Sequence, residues 1–194
     1  IFMHKFLIVG LGNIGSEYEG TRHNVGFDVV AAFAKKHEVP FTTERLAAVA
    51  KIKWKGNLFV CIQPSTYMNL SGKAARYWME KENISLEHIL VIVDEVALPL
   101  DKLRLRPGGS DGGHNGLKSM QEELRTDQYP RLRFGIGNDY PKGRQVEYVL
   151  GRWTESELVV VRLKIQKTVE LIESFAQVGI ANTMNQFNKL TFHV

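Results

Sequence analysis

Residues 5–20 read KFLIVGLGNIGSEYEG, and the fold turns on how this stretch is taken. The run 5–11 is apolar without alternation and halts at Gly10, the pattern of a strand covered on both faces. GLGNIG at 10–15 then matches the dinucleotide fingerprint G-x-G-x-x-G letter for letter. That fingerprint also needs a helix opening at its third glycine and an acid ending a second strand about 20 residues on. Here the chain continues SEYEGTRH, with no apolar period, and the later positions read AAFAKKHEV, which is helical. A nicotinamide-dependent oxidoreductase is therefore the weaker reading. The glycines are better understood as letting backbone and Asn13 approach a ligand at a strand's carboxyl end, where ligands gather in open α/β sheets.

Working outward, strand-like and helix-like runs alternate. NVGFDVVAAFAKKH (24–37) spaces Val25, Val29 and Phe33 as one helical face. Two strands flank the turn Lys55-Gly56-Asn57 within 47–64, and a helix is expected from about Gly72. HILVIVDE (88–95) repeats the buried-strand pattern and ends in two acids. DKLRLRP (101–107) and RLRFGIG (131–137) alternate basic with apolar residues, as strands with one cationic face do. Between them GGHNGLKSMQEELR opens a helix burying Leu117, Met120 and Leu124. Thr154 and Glu157 stand at capping-box spacing before a long helix striped with Leu158, Val161, Ile165, Val169 and Ile172. Gly179 should end it, and a short helix with Met184 and Phe187 should follow. The expected architecture is one α/β domain over 3–194, a mixed twisted sheet surrounded by helices, with Ile1 and Phe2 read as additions ahead of a natural start at Met3.

The chain's 194 residues are 44% hydrophobic, enough for one substantial core. No run approaches a membrane span, and no secretion signal opens the chain. The single cysteine, Cys61, lies in an apolar strand and reads as a buried thiol, which fits a reducing cytoplasm. Formal net charge is +4, and residues 102–144, with nine basic groups against five acids, carry all of it. The same segment holds GGSDGGHNG (108–116), five glycines in nine positions. A polyanionic partner near that loop is expected.

Several polar residues fall at the ends of strands or the starts of helices: Asn13, His23, Asn69, Asp94, His114 and Asn115. Taken singly, Asn69 and Asn24 could be N-caps, Asn13 a turn residue, and Asp94 a cap or an arginine partner. Taken together, they put two imidazoles, a carboxylate and three carboxamides on loops that a sheet would bring to one edge. A histidine is a workable base near neutral pH. A carboxylate on its other nitrogen fixes the tautomer, and carboxamide NH₂ groups can donate to an oxyanion. The letters G-x-S-x-G occur at 108–112 (GGSDG), but within a glycine loop rather than at a sharp strand-to-helix turn, so water is the nucleophile left for an activated acyl bond such as an ester. His23, Asp94 and His114 could alternatively bind one metal ion, without any tight ligand spacing to support it.

These residues sit in five stretches: VGLGNIGSEYEGTRHNVGF (9–27), PSTYMNLSG (64–72), VIVDE (91–95), LRLRPGGSDGGHNGLKS (103–119) and RLRFGIG (131–137). In order and spacing they resemble bacterial peptidyl-tRNA hydrolases. The resemblance implies cleavage of the ester between a peptide and the 3′-terminal ribose of tRNA, recycling tRNA during translation, by a cytoplasmic monomer without metal or cofactor. It implies His23 as base and Asp94 as the group that holds it. Asn13 would contact the peptide part and favour N-blocked substrates, and Asn69 and Asn115 would bind substrate and place water or oxyanion. Tyr18, Tyr67, Met68, Gly112, Gly113 and His114 would line the cleft, His114 shaping it rather than acting as base. Arg106 and Arg133, with Arg104, Lys118 and Arg131 as neighbours, would hold phosphates of the acceptor stem and 3′ CCA end. The chain departs from the family pattern at Ile14, at DEVALPL (94–100), at GNDY (137–140) and at Asp111, whose charge is expected to weaken phosphate binding locally. A non-catalytic RNA-binding module on the same scaffold is the rival reading.

Overall fold

The structure, a computed structural model, describes residues 4–193, so Ile1, Phe2 and the expected start at Met3 lie outside the described residues. A seven-stranded sheet in the order β2-β3-β4-β1-β5-β7-β6 forms its centre. The strand read from the opening stretch, β1 (His4–Gly10), is the middle strand. It runs parallel to β4 (Asn57–Pro64) on one side and β5 (Ile89–Glu95) on the other. β5 pairs in parallel with β7 (Arg131–Gly135). Antiparallel strands finish both edges, β2 (Thr42–Glu44) and β3 (Ala47–Trp54) at one and β6 (Leu103–Arg106) at the other.

β1 and β5 are apolar because side chains pack on both faces. One face buries Val25, Val29 and Phe33 of α1 (Val25–Lys36) with Val161, Val169 and Ile172 of α5 (Glu155–Phe187). The other buries Ala74, Ala75 and Trp78 of α2 (Ser71–Lys81) with Leu117 and Met120 of α3 (Asn115–Leu124). α5 opens with the full Thr154–Glu157 capping box and breaks at Gly179, where φ is +84°. Beyond the break Phe187 returns to the same core. The stripe of α5 also contains a residue that apolar spacing passes over. Lys164 is fully buried, its Nζ donates to the Leu100 and Gly135 carbonyls at 2.6 Å each, and it stands 4.0 Å from the Phe134 ring centroid.

Two elements were not expected. β2 is three exposed residues with no burial pattern to read, and α4 (Gln145–Val149) is shorter than two helical turns. Two expectations are corrected. Asn69 and Asn24 cap neither α2 nor α1, because each helix begins without a side-chain cap. The alternation expected at 131–137 fails at Arg131, which is buried along with its neighbours.

β1 sends the chain toward β4, whereas β5 sends it toward β6 and β7. The divergence opens a crevice at their shared carboxyl edge. α1 rests almost directly on that edge. A Cβ on Gly10 would lie 2.2 Å from the Gly26 carbonyl oxygen, and one on Gly26 would lie 2.6 Å from that of Ile92. Only glycine permits this approach, and it carries the turn Arg22–Asn24 over the end of β5.

Candidate active site

Asp94 is the next-to-last residue of β5, 4% exposed, and both of its oxygens are taken. Oδ2 lies 2.8 Å from His23 Nδ1 and Oδ1 lies 2.8 Å from His114 Nε2. His114 precedes α3, and its Nδ1 accepts the backbone N–H groups of Gly116 and Leu117 at 3.0 and 3.4 Å. Its proton therefore sits on Nε2 and is donated to Asp94. His114 is thereby committed at both nitrogens, which agrees with a shaping rather than a basic role. His23 donates its Nδ1 proton to the same carboxylate, leaving the lone pair of Nε2 unused in the pair.

Burial pulls the His23 ring toward neutrality. The charge of Asp94 and the hydrogen bond to it outweigh that pull, so the His23 pKa stands above its ordinary value. For Asp94, burial opposes ionisation, but His114 and His23 together hold its carboxyl well below the usual carboxylate range. The nearest ligand atoms of these three residues lie within 4.8 Å of one another, close enough for one cation. Every Asp94 oxygen, both His114 nitrogens and one His23 nitrogen are already engaged, however. A metal ion would have to break those bonds, and the donor set reads as a hydrogen-bonded relay.

A cleft of about 320 Å³ opens over this relay. Asn13, Tyr18, His23, Met68, Asn69, Asp94, Gly112, Gly113, His114 and Asn115 all line it, so residues from four of the five stretches converge there, while none from 131–137 does. Asn13 follows β1, Asn69 lies in the turn Met68–Leu70 after β4, and Asn115 opens α3. Tyr67 is the correction. It does not line the cleft; its side chain is half exposed, and its backbone is held at φ +63°, ψ 161°. Sequence reasoning missed a whole wall, formed by Glu95 and Val96 at the end of β5 and by Gln145, Val146, Val149 and Leu150 around α4. Its signal was Arg22, a buried basic residue beside the expected base. Arg22 donates to the Tyr148 carbonyl and to Glu157 and packs 4.2 Å from the Tyr148 ring centroid, which ties α4 to the turn that carries His23.

The arginines of β6 and β7 share one sheet face, Arg104 opposite Arg133 and Arg106 opposite Arg131. They do not share one environment. Arg104 and Arg106 are exposed, and so is Lys118 on α3. Arg133 pairs with Glu95 at 2.8 Å and donates to the Ser110 carbonyl at 2.6 Å. Arg131 is 1% exposed, packs 4.0 Å from the Tyr129 ring centroid, and donates to the Asp127, Ser110 and Tyr129 carbonyls. This corrects its expected place among surface phosphate ligands: its donors are spent on the Asp127 and Tyr129 carbonyls just ahead of β7 and on Ser110 of the glycine loop. Asp111 also serves that loop, its carboxylate accepting the Gly113 N–H at 2.8 Å. The positive φ of Gly112 and Gly113 completes the turn.

The sequence profile described as "Peptidyl-tRNA hydrolase" matches residues 7–193. A peptidyl-tRNA hydrolase of Phocaeicola vulgatus is 52% identical over 185 residues, 95% of this chain and 99% of that protein. One from Porphyromonas gingivalis is 52% identical over 184 residues, 95% of this chain and all of its own length. The crystal structure of peptidyl-tRNA hydrolase from Acinetobacter baumannii superposes with a TM-score of 0.91 at 33% identity, covering 96% of this chain and 95% of that one. With a cleft where His23, Asp94 and His114 meet, a basic strand pair beside it and these likenesses along nearly its whole length, the chain belongs to the peptidyl-tRNA hydrolase family.

Proposed function

We propose that the chain hydrolyses peptidyl-tRNA, releasing peptide and tRNA, with His23 as general base and water as nucleophile. The observation that carries this reading is the His23–Asp94 bond of 2.8 Å at the floor of a cleft lined by Asn13, Asn69 and Asn115. Water bound at His23 Nε2 gives up a proton and adds to the ester carbonyl carbon. Negative charge develops on the carbonyl oxygen and is met by carboxamide N–H groups of Asn69 and Asn115. When the tetrahedral intermediate collapses, the C–O bond to the ribose 3′-oxygen breaks. That oxygen takes the proton from the imidazolium, leaving a free carboxylic acid and a tRNA 3′-hydroxyl. Asp94 stays ionised throughout and stabilises the imidazolium.

Arg104, Arg106 and Lys118 are the exposed cations offered to acceptor-stem phosphates, and Arg133 becomes available to the 3′ end by exchanging Glu95 for phosphate. Gly112 and Gly113 let the 3′ end lie close to backbone. The enzyme is read as a monomer of the cytoplasm. Among the described residues no helix is long and apolar enough to cross a membrane, and Cys61 is a free, buried thiol. The test is release of free tRNA from N-acetyl-aminoacyl-tRNA. The native protein is expected to release it, and His23→Ala to turn over about 10² to 10⁴-fold more slowly while still binding tRNA. Near-native turnover by His23→Ala excludes the assigned base, and binding without release by the native protein supports the RNA-binding module instead.

A further inference from the structure

Asn24 follows His23 in the same turn, is 2% exposed, and spends its carboxamide on one residue. Its Oδ1 accepts the Asn13 backbone N–H at 2.8 Å, and its Nδ2 donates to the Asn13 carbonyl at 2.9 Å. The side chain thus pairs with Asn13 as a neighbouring strand would, although Asn13 lies beyond the end of β1. A third bond fixes the Asn13 side chain, whose Oδ1 accepts the Met68 N–H at 2.7 Å. Asn13 Nδ2 takes part in none of these bonds, and Asn13 lines the cleft. The carboxamide oxygen is held by Met68 and the backbone by Asn24, so rotating the amide would set Nδ2 against the Met68 N–H, donor against donor.

We infer that Asn24 is a positioning residue for hydrolysis: it locks the Asn13 backbone so that Asn13 presents only its NH₂ group to the acyl substrate. This rests on the reading of Asn13 as a substrate contact. It also explains a division of labour within three successive residues. Arg22 holds the α4 wall, His23 supplies the base, and Asn24 holds the opposite wall, so one turn sets base and donor in a common frame. Substrate positioning of this kind acts through geometry, and an error of about 1 Å can cost about 10²-fold.

A double-mutant cycle on kcat/KM for N-acetyl-aminoacyl-tRNA tests it, using Asn13→Ala, Asn24→Ala and the pair, with thermal unfolding measured on each. Each single variant is expected to lose about tenfold or more, and the pair to be no slower than Asn13→Ala alone, because Asn24 acts through Asn13. The pH of the acidic limb set by His23 should stay in place in Asn24→Ala. Multiplying losses in the double variant, a displaced limb, or native kcat/KM in Asn24→Ala overturns the inference. Native kcat/KM in Asn13→Ala removes the substrate contact itself and the inference with it, whereas a full loss there beside a native Asn24→Ala defeats the inference alone. Should Asn24→Ala not fold, Asn24→Ser, which cannot make both backbone bonds, carries the same cycle.

Discussion

The carboxyl edge of β1 and β5 and the β6–β7 strand pair are both polar surfaces on one sheet, yet they are built by opposite rules. At the carboxyl edge the polar groups come from four separate stretches, and most of them are tied to a neighbour by hydrogen bonds. Asp94 joins two imidazoles, Asn24 clamps Asn13, and Arg22 anchors α4. In the strand pair the arginines come from two short segments whose alternation is visible by eye, and cross-strand register sets them side by side. The first region is cross-linked by its own hydrogen bonds. The second divides within itself, two arginines open to solvent and two engaged by the glycine loop and Glu95. The difference teaches that a basic stripe in sequence does not make each of its residues a phosphate ligand, because burial decides which charges are free.

Three substitutions should sharpen that contrast. The largest effect is expected at the carboxyl edge. Asp94→Ala removes the acceptor of two buried imidazoles at once, and turnover should fall by about 10² to 10⁴-fold. Steady-state release of tRNA measures it, and a loss below about tenfold would mean that the relay is dispensable. Next comes Arg131→Met, which leaves several carbonyls without donors and removes the stacking on Tyr129. It should lower folding stability by about 2–3 kcal/mol, read by denaturant unfolding, without changing the salt dependence of tRNA binding. A shallower salt dependence in that variant would return Arg131 to the RNA surface. The smallest effect belongs to Arg106→Ala, which should keep stability and turnover at saturation but weaken tRNA binding. The slope of log affinity against log salt should fall by about 0.9, the share of one phosphate contact. An unchanged slope would take Arg106 out of the interface.

Much of this was legible in the amino-acid order. Continuous apolar runs at 5–11 and 88–93 could only be central strands, and the capping box and Gly179 marked both limits of the long helix. The convergence of Asn13, His23, Asn69, Asp94 and Asn115 followed from their places at element ends, since parallel strands put all their carboxyl ends on one edge. What stayed hidden has a common cause. Asp94's second imidazole, the Asn24 clamp and the burial of Arg131 depend on contacts between residues 11 to 21 positions apart or on a loop folding over a strand. Periodicity carries no record of such contacts. The α4 wall was missed for another reason: Gln145–Val149 is too short to show a helical stripe, and its Val146 lines the cleft while remaining exposed. Lys164 sat within an apolar stripe because its amine finds two carbonyls there.

The proposed hydrolysis depends on an imidazole whose basicity and aim are set by Asp94. A base must be neutral to act, so kcat/KM should rise with pH through the His23 pKa. Asp94 lifts that pKa, which places the acidic limb above about 6.5, the ordinary histidine value. Replacing Asp94 with asparagine removes the charge that raises the pKa and leaves burial, which lowers it. The most direct measurement is the pH profile of kcat/KM for N-acetyl-aminoacyl-tRNA in the native protein and in Asp94→Asn. A native limb above about 6.5 that moves to lower pH in the slower variant is the expected result. A limb at the same pH in both proteins would contradict the coupling between Asp94 and the base, and with it the mechanism.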